Sequence, residues 1–163
     1  MNSEMKIISE VNIQAEDFYD DAVALGDLAA VMLEEKHRSQ MTSLENIAES
    51  TLKTSDIFDY IKKQMARFPF WRQSEPGQNA SGGFGERLRM YLENDLKKRL
   101  ENICSPQHLN IGNTTDEEIQ ERRRIHLLLM RQFIRQLVVE YEYRVSLGQN
   151  NHSKHNHKKK RGE

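Results

Sequence analysis

The segment from Glu121 to Arg144 combines residues that can do chemistry with residues that can fill a core. Its sequence, ERRRIHLLLMRQFIRQLVVEYEYR, carries six arginines among Leu, Ile, Val and Phe. A guanidinium group binds phosphate through two parallel hydrogen bonds and keeps its charge at every physiological pH. The segment therefore predicts a helix that buries one side and offers cations on another.

Three of these arginines share a helix face. Arg131 and Arg135 follow Arg124 by seven and eleven positions, which at about 100° per residue places all three within about 20° of one azimuth. We call them the arginine row. A row of cations along a helix suits the repeated phosphates of a nucleic-acid backbone. The alternative is a solvated face, or a structural face in which the arginines pair with Glu140, Glu142 or the acidic first helix.

A second basic set lies in the stretch KKQMARFPFWR and comprises Lys62, Lys63, Arg67 and Arg72. Aromatic residues alternate with it, namely Tyr60, Phe68, Phe70 and Trp71. Such a mixture is typical of single-strand binding, in which cations hold phosphates and rings stack on bases. The alternative is that the rings anchor the helix end in the core. A third set comprises Arg87, Arg89, Lys97, Lys98 and Arg99; Glu93 lies four residues before Lys97, which is the spacing of an ordinary intrahelical ion pair.

No residue pattern predicts catalysis or a metal site. The one cysteine, Cys104, has no surrounding motif, and no histidine has a second ligand at metal spacing. His126 lies too close to the neighbouring arginines for the arginine–histidine pair of helical ribonucleases. We therefore predict a non-enzymatic protein without cofactor or metal, with a small helical ribonuclease as the remote alternative.

The periodicity predicts an all-α fold of four to five helices. The expected helices run from about Glu16 to Glu35, from Ser43, from Thr54 to Phe68, from Phe84 to Ile103, and from Thr115 to Leu147. Thr115 and Glu118 form a capping box, and Pro69 ends the third helix. Residues 1–15 are predicted to be weakly ordered, 16–148 to form the bundle, 72–85 to form a long glycine-rich loop, and 149–163 to be a disordered His/Lys-rich tail.

The near-neutral net charge of −1 conceals a gradient along the chain. Residues 1–50 carry 3 basic and 11 acidic groups, whereas residues 51–100 carry 10 and 6. This asymmetry suggests a second alternative, a protein–protein adaptor whose acidic helix at 16–35 docks a basic partner. The sequence contains no membrane span and no secretion signal, so we expect a cytoplasmic protein with no membrane partner.

Four stretches together resemble the small helical subunits of multisubunit CRISPR effector complexes, type III in particular. They are TSLENIAES, SDIFDYIKKQMAR, GFGERLRMYLENDLKKRL and the arginine-bearing last helix, roughly two thirds of the chain. The resemblance implies a non-catalytic subunit that contacts the backbone of RNA or of an RNA–DNA duplex. It also implies other subunits of a ribonucleoprotein as partners, self-association along the complex, and the arginine row and then Lys62, Lys63 and Arg67 as the contacts.

Overall fold

A computed structural model describes residues 2–74 and 82–159, with side chains as far as residue 148. Every regular element in these ranges is helical, so the predicted all-α class is confirmed there. The α-helices are α1 Ser3–Asp17, α2 Tyr19–Leu33, α3 Arg38–Ser50, α4 Thr54–Arg67, α5 Pro69–Arg72, α6 Phe84–Met90, α7 Leu96–Cys104 and α8 Asp116–Lys159. The predicted count of four to five helices is not confirmed, because short helices and turns subdivide the chain.

The core forms around α8. Ile125, Leu129, Phe133, Leu137 and Tyr141 recur every four residues on this helix, and all five are fully buried. Helices α1, α2, α3 and α7 pack against α8, while α4, α5 and α6 pack on one another beside it. A helix of 44 residues is about 66 Å long, so the other helices can surround only part of its length.

Helix α2 approaches α8 closely because its contact face consists of small residues. Ala22, Gly26 and Ala29 lie on this face and are buried. A Cβ atom at Gly26 would lie 2.6 Å from the carbonyl oxygen of Leu137 and 2.7 Å from Cβ of Glu140. Glycine is therefore required here by the distance between the two helices, since no side chain fits between the backbones.

The N-terminal segment differs from the prediction of weak order over residues 1–15. It forms α1, which begins where the side chain of Asn2 accepts a hydrogen bond from the amide of Met5, at 2.8 Å. Ile7 and Val11, one turn apart, are buried against the bundle. The helix expected from about Glu16 to Glu35 is α2, Tyr19–Leu33; it begins after a break at Phe18, whose fully buried ring packs edge-on against Phe133.

Two predicted helix boundaries are confirmed, the end of α4 and the start of α8. Helix α4 ends at Arg67, and Phe68 has extended geometry before Pro69, as the steric demand of proline requires. Helix α8 begins at the predicted capping box, directly after Thr115, and the Glu118 amide donates to Oγ1 of Thr115 at 3.2 Å. The Thr115 amide donates to Oε1 of Glu118 at 3.1 Å in return.

The segment predicted as a helix from Phe84 to Ile103 is continuous but not regular. Helices α6 and α7 are joined by a π-helical turn, Tyr91–Asp95. Its Leu92 side chain is fully buried. Such a turn inserts an additional residue into the helix and changes which side chains face the bundle after it.

The predictions of a glycine-rich loop and of a disordered C-terminal tail have different outcomes. In the expected glycine-rich loop at 72–85, residues 75–81 lie outside the described residues. The last helix does not end at Gly148: its backbone is helical to Lys159, where the sequence predicted a disordered tail, and residues 160–163 lie outside the described residues. A glycine inside a helix costs only about 1 kcal/mol relative to alanine, so it need not end one. No described helix is both long and apolar enough to cross a membrane.

Candidate nucleic-acid interface

The arginine row does not project unpaired from α8, so the prediction of free cations there is wrong. The Arg124 guanidinium pairs with Glu4 of α1 and lies 3.4 Å from Oε1 of Glu121. Arg135 pairs with Glu49 of α3 at 2.6 Å. These side chains bind neighbouring helices, as the structural alternative proposed, although most of their partners were not foreseen.

Arg131, the middle member of the row, caps α3. Its Nε donates to the carbonyl oxygen of Ala48 at 2.8 Å, and its Nη2 donates to that of Thr51 at 2.6 Å. The last carbonyl groups of a helix have no partner within the helix and carry the negative end of its dipole. A cationic donor that reaches them stabilises both the helix end and the chain that follows it.

The other arginines of α8 have the same role, with one exception. Arg122 donates to the carbonyl oxygens of Ile111 and Gly112, both at 2.7 Å, and fixes the loop before α8. Arg144 pairs with Asp27 of α2 at 2.8 Å. Arg123 is exposed and has no ion pair within the described residues. The arginines of α8 therefore fasten the surrounding segments to the central helix.

Acidic residues of the N-terminal region also bind neighbouring helices. Asp17 accepts a hydrogen bond from Arg99 at 2.6 Å, and Asp21 accepts one from the Tyr91 hydroxyl at 2.7 Å. Burial and the Asp21 carboxylate raise the pKa of Tyr91, so this hydroxyl stays protonated and donates. The charge gradient of the sequence is thus partly neutralised inside the fold, which weakens the adaptor hypothesis based on an acidic helix.

The second basic set remains available. Lys62, Lys63, Arg67 and Arg72 are all exposed on α4 and α5. Within residues 2–74 and 82–148, no carboxylate lies within ion-pair distance of any of them. Lys63 and Arg67 are four positions apart and lie on the same side of α4. We call these four residues the basic face.

The aromatic residues beside the basic face divide into two pairs. Trp71 is fully buried and donates through Nε1 to Oε1 of Gln40 at 2.6 Å. The Tyr60 hydroxyl donates to the carbonyl oxygen of Gln40 at 2.6 Å. These two rings anchor the helix end, which makes them unavailable for base stacking. Phe68 and Phe70 are only partly buried, and their rings stack with centroids 5.4 Å apart.

Two glycines bring α6 against α4 and α5. A Cβ atom at Gly83 would lie 2.4 Å from the carbonyl oxygen of Gln73, and one at Gly85 would lie 2.6 Å from Cγ of Met65. These glycines therefore permit close packing, which is the reason for their position at the start of α6. Their contribution is to hold the basic face in a fixed place on the bundle.

The third basic set is divided: Arg89 and Arg99 are paired, whereas Arg87 is exposed without an ion pair to a described residue. Arg89 pairs with Glu86 and Glu93, each at 2.7 Å, and the Arg89 guanidinium lowers the pKa of Glu86. The predicted pair of Glu93 with Lys97 is wrong, because Glu93 pairs with Arg89 instead. Lys97 and Lys98 are exposed and have no ion pair with a described residue.

His126 is half-buried, and Cys104 is buried in the core. Nε2 of His126 lies 2.8 Å from the carbonyl oxygen of Leu92, in the π-helical turn, and therefore donates to it. Burial lowers the pKa of His126, which favours the neutral imidazole. Burial raises the pKa of the Cys104 thiol. Among the described residues, no three His, Cys, Asp or Glu side chains are grouped so that they could hold a metal ion.

No family model, curated protein or solved structure matches this chain. The resemblance to CRISPR small subunits stays a prediction. The basic face is the interface candidate, because its four exposed cations lie next to the partly exposed rings of Phe68 and Phe70.

Proposed function

We propose that this protein is a non-catalytic helical subunit that binds the backbone of a nucleic acid at the basic face. The observation that carries the proposal is the contrast in pairing: the cations of the basic face are exposed and have no ion-pair partner among the described residues, whereas the arginine row is paired. An unpaired surface cation can meet a phosphate without first breaking an existing interaction.

The proposed binding is electrostatic and independent of sequence. Each phosphate that a lysine or arginine neutralises releases counterions, and this release favours association at low salt. Four such contacts predict that the logarithm of the association constant falls with the logarithm of salt concentration with a slope of about −3 to −4. Contacts to phosphates carry no sequence information, so affinity should vary little among sequences.

The narrower form of the proposal follows from the resemblance stated above. The protein would be one of several copies beside RNA or an RNA–DNA duplex in a ribonucleoprotein, resembling the small subunit of a CRISPR effector. The contacts Lys62, Lys63 and Arg67, which the resemblance implies, are retained, and Arg72 joins them. The arginine row is not retained as a phosphate contact, because its guanidinium groups hold α1 and α3.

Fluorescence anisotropy with labelled RNA, DNA and RNA–DNA duplexes tests the proposal. The protein should bind all three at roughly 50 mM salt and release them near roughly 200 mM. The variant Lys63→Gln/Arg67→Gln should lose about tenfold in affinity and flatten the salt slope by about 2, since two contacts are removed. Absence of binding at the lower salt concentration would refute the proposal.

The matched control is Lys97→Gln/Lys98→Gln. It removes the same charge from an exposed helix whose lysines are likewise unpaired in the described part of the chain. If the control loses as much affinity as the basic-face variant, the binding depends on net charge and not on the proposed surface. A control that retains wild-type affinity supports the assignment.

A second candidate function, self-association within an assembly, is favoured by the outer face of α1. Met5, Ile8 and Ile13 are 56%, 47% and 58% exposed on this face. Lys6 and Glu16 lie at its two ends, so an antiparallel second copy would place opposite charges together. Light scattering after size exclusion should show a concentration-dependent dimer that Ile8→Asp abolishes; a monomer at all concentrations would exclude it.

A further inference from the structure

A column of three stacked rings lies beside the basic face. The imidazole of His37 stacks on Phe70 with ring centroids 3.8 Å apart and an angle of 21° between the planes. Phe70 in turn stacks on Phe68 at 5.4 Å and 23°. We call His37, Phe70 and Phe68 the ring column. All three residues are partly exposed, so solvent reaches the column.

The column is held by a rigid support. Phe70 and Trp71 are adjacent on α5, and the Trp71 indole is fully buried, with its centroid 5.0 Å from that of Phe84. Pro69, at the first position of α5, fixes the backbone between the two phenylalanines. A support of this kind keeps the rings in place before a ligand arrives, which reduces the entropy cost of binding.

Cations lie next to the column along the chain. Arg67 directly precedes Phe68, Arg72 follows Phe70 by two positions, and Lys36 directly precedes His37. All three cations are exposed, and none has an ion pair within residues 2–74 and 82–148. Stacked rings between backbone-binding cations are the arrangement by which proteins hold single-stranded nucleic acid.

We propose that the ring column binds an unpaired nucleobase, so that the basic face prefers single-stranded RNA or DNA over duplexes. The base would extend the stack by one ring, while Arg67 and Arg72 hold the flanking phosphates. A duplex cannot make this contact, because its bases are stacked on one another and are not free. This inference rests on the proposed function and specifies its ligand.

The stacking residues can be removed without removing charge. The variant Phe68→Leu/Phe70→Leu keeps apolar volume at both positions and leaves the basic face intact. Its affinity for single-stranded oligouridine and oligothymidine should fall about tenfold, whereas its affinity for duplex RNA and duplex DNA should stay unchanged. The control is Tyr19→Leu, which removes an aromatic ring that is 50% exposed on α2. Trp71 fluorescence and thermal unfolding establish that each variant is folded.

The outcomes separate the two proposals. Loss of single-strand affinity alone supports the ring column. Wild-type single-strand affinity in the double leucine variant, or an equal loss for single strands and duplexes, overturns the column while the basic face stands. If the wild-type protein binds neither single strands nor duplexes at low salt, the proposed function fails and the inference fails with it. Separate RNA and DNA single strands show which of the two the site prefers.

Discussion

The arginine row on α8 and the basic face on α4 and α5 contain the same kinds of side chain in opposite situations. Arg124, Arg131 and Arg135 reach across to α1 and α3 and bind carboxylates or carbonyl oxygens there. The cations of the basic face have no ion-pair partner in the described part of the chain. The difference arises from position: α8 is central and neighbours surround it, whereas one side of α4 faces solvent. Five of the six arginines of α8 between Arg122 and Arg144 bind neighbouring segments, whereas the four cations of the basic face bind no described carboxylate.

Arg131 offers the strongest test of the structural side of this comparison. Arg131→Ala should lower the free energy of unfolding by about 2 to 3 kcal/mol, because two partly buried carbonyl groups lose a charged donor. Urea denaturation followed by circular dichroism measures this effect. Arg67→Ala is the counterpart on the basic face and should change stability by no more than about 0.5 kcal/mol. Equal losses of stability in the two variants would contradict the distinction between structural and unpaired arginines.

His126 tests whether polar side chains of α8 other than the arginines also stabilise the fold. Its pKa is lowered from the ordinary 6.5 in the folded state, so the unfolded chain binds more protons as pH falls below 6.5. Stability should therefore decrease on acidification through this window and should be unaffected by His126 at higher pH.

The variant His126→Gln isolates that effect, since its amide can still donate to the carbonyl of Leu92. Thermal unfolding between about pH 7.5 and pH 5 should show a shallower pH dependence in the variant than in the wild type. His37, whose pKa is lowered by burial and by Lys36, leaves a residual slope in both proteins. Identical profiles would mean that His126 is not held neutral by the fold.

The exposed ion pairs of the arginine row should have the smallest effects on stability. Arg124 and Arg135 are roughly half exposed, and pairs of this kind contribute about 0 to 1 kcal/mol each. Arg124→Ala and Arg135→Ala should each lower stability within that range, and the loss should shrink at high salt. Urea denaturation at two ionic strengths measures this loss of stability. A loss as large as that of Arg131→Ala would show that these pairs contribute more to stability than their exposure implies.

The sequence predicted local features better than long-range ones. The capping box at Thr115 and the helix end before Pro69 depend on neighbouring residues, and both were correct. Ion-pair partners such as Glu4 for Arg124 depend on how distant helices pack, which periodicity cannot show. The same limit explains α1: its apolar residues lie on more than one side of the helix, with Met5, Ile8 and Ile13 exposed, so no single stripe predicts that Ile7 and Val11 are buried.

Some of the candidate site was foreseeable from composition. Lys62, Lys63, Arg67 and Arg72 were identified from their mixture with aromatic residues, but the sequence could not separate the anchoring ring of Trp71 from the exposed rings of Phe68 and Phe70. His37 was missed as a member of the ring column because it lies more than thirty positions before Phe70. Gly26 was missed too, although the small residues Ala22, Gly26 and Ala29 at helical spacing are a recognisable signal of close helix packing.

One salt titration tests the central claim most directly. The association constant for a single-stranded RNA is measured against salt for the wild type, for Lys63→Gln/Arg67→Gln and for Arg124→Gln/Arg135→Gln. The two variants lose equal charge, so only the position of that charge differs. We predict a salt slope that is flatter by about 1 to 2 for the basic-face variant and unchanged for the arginine-row variant. A salt slope that is flatter in the arginine-row variant and unchanged in the basic-face variant would contradict this claim.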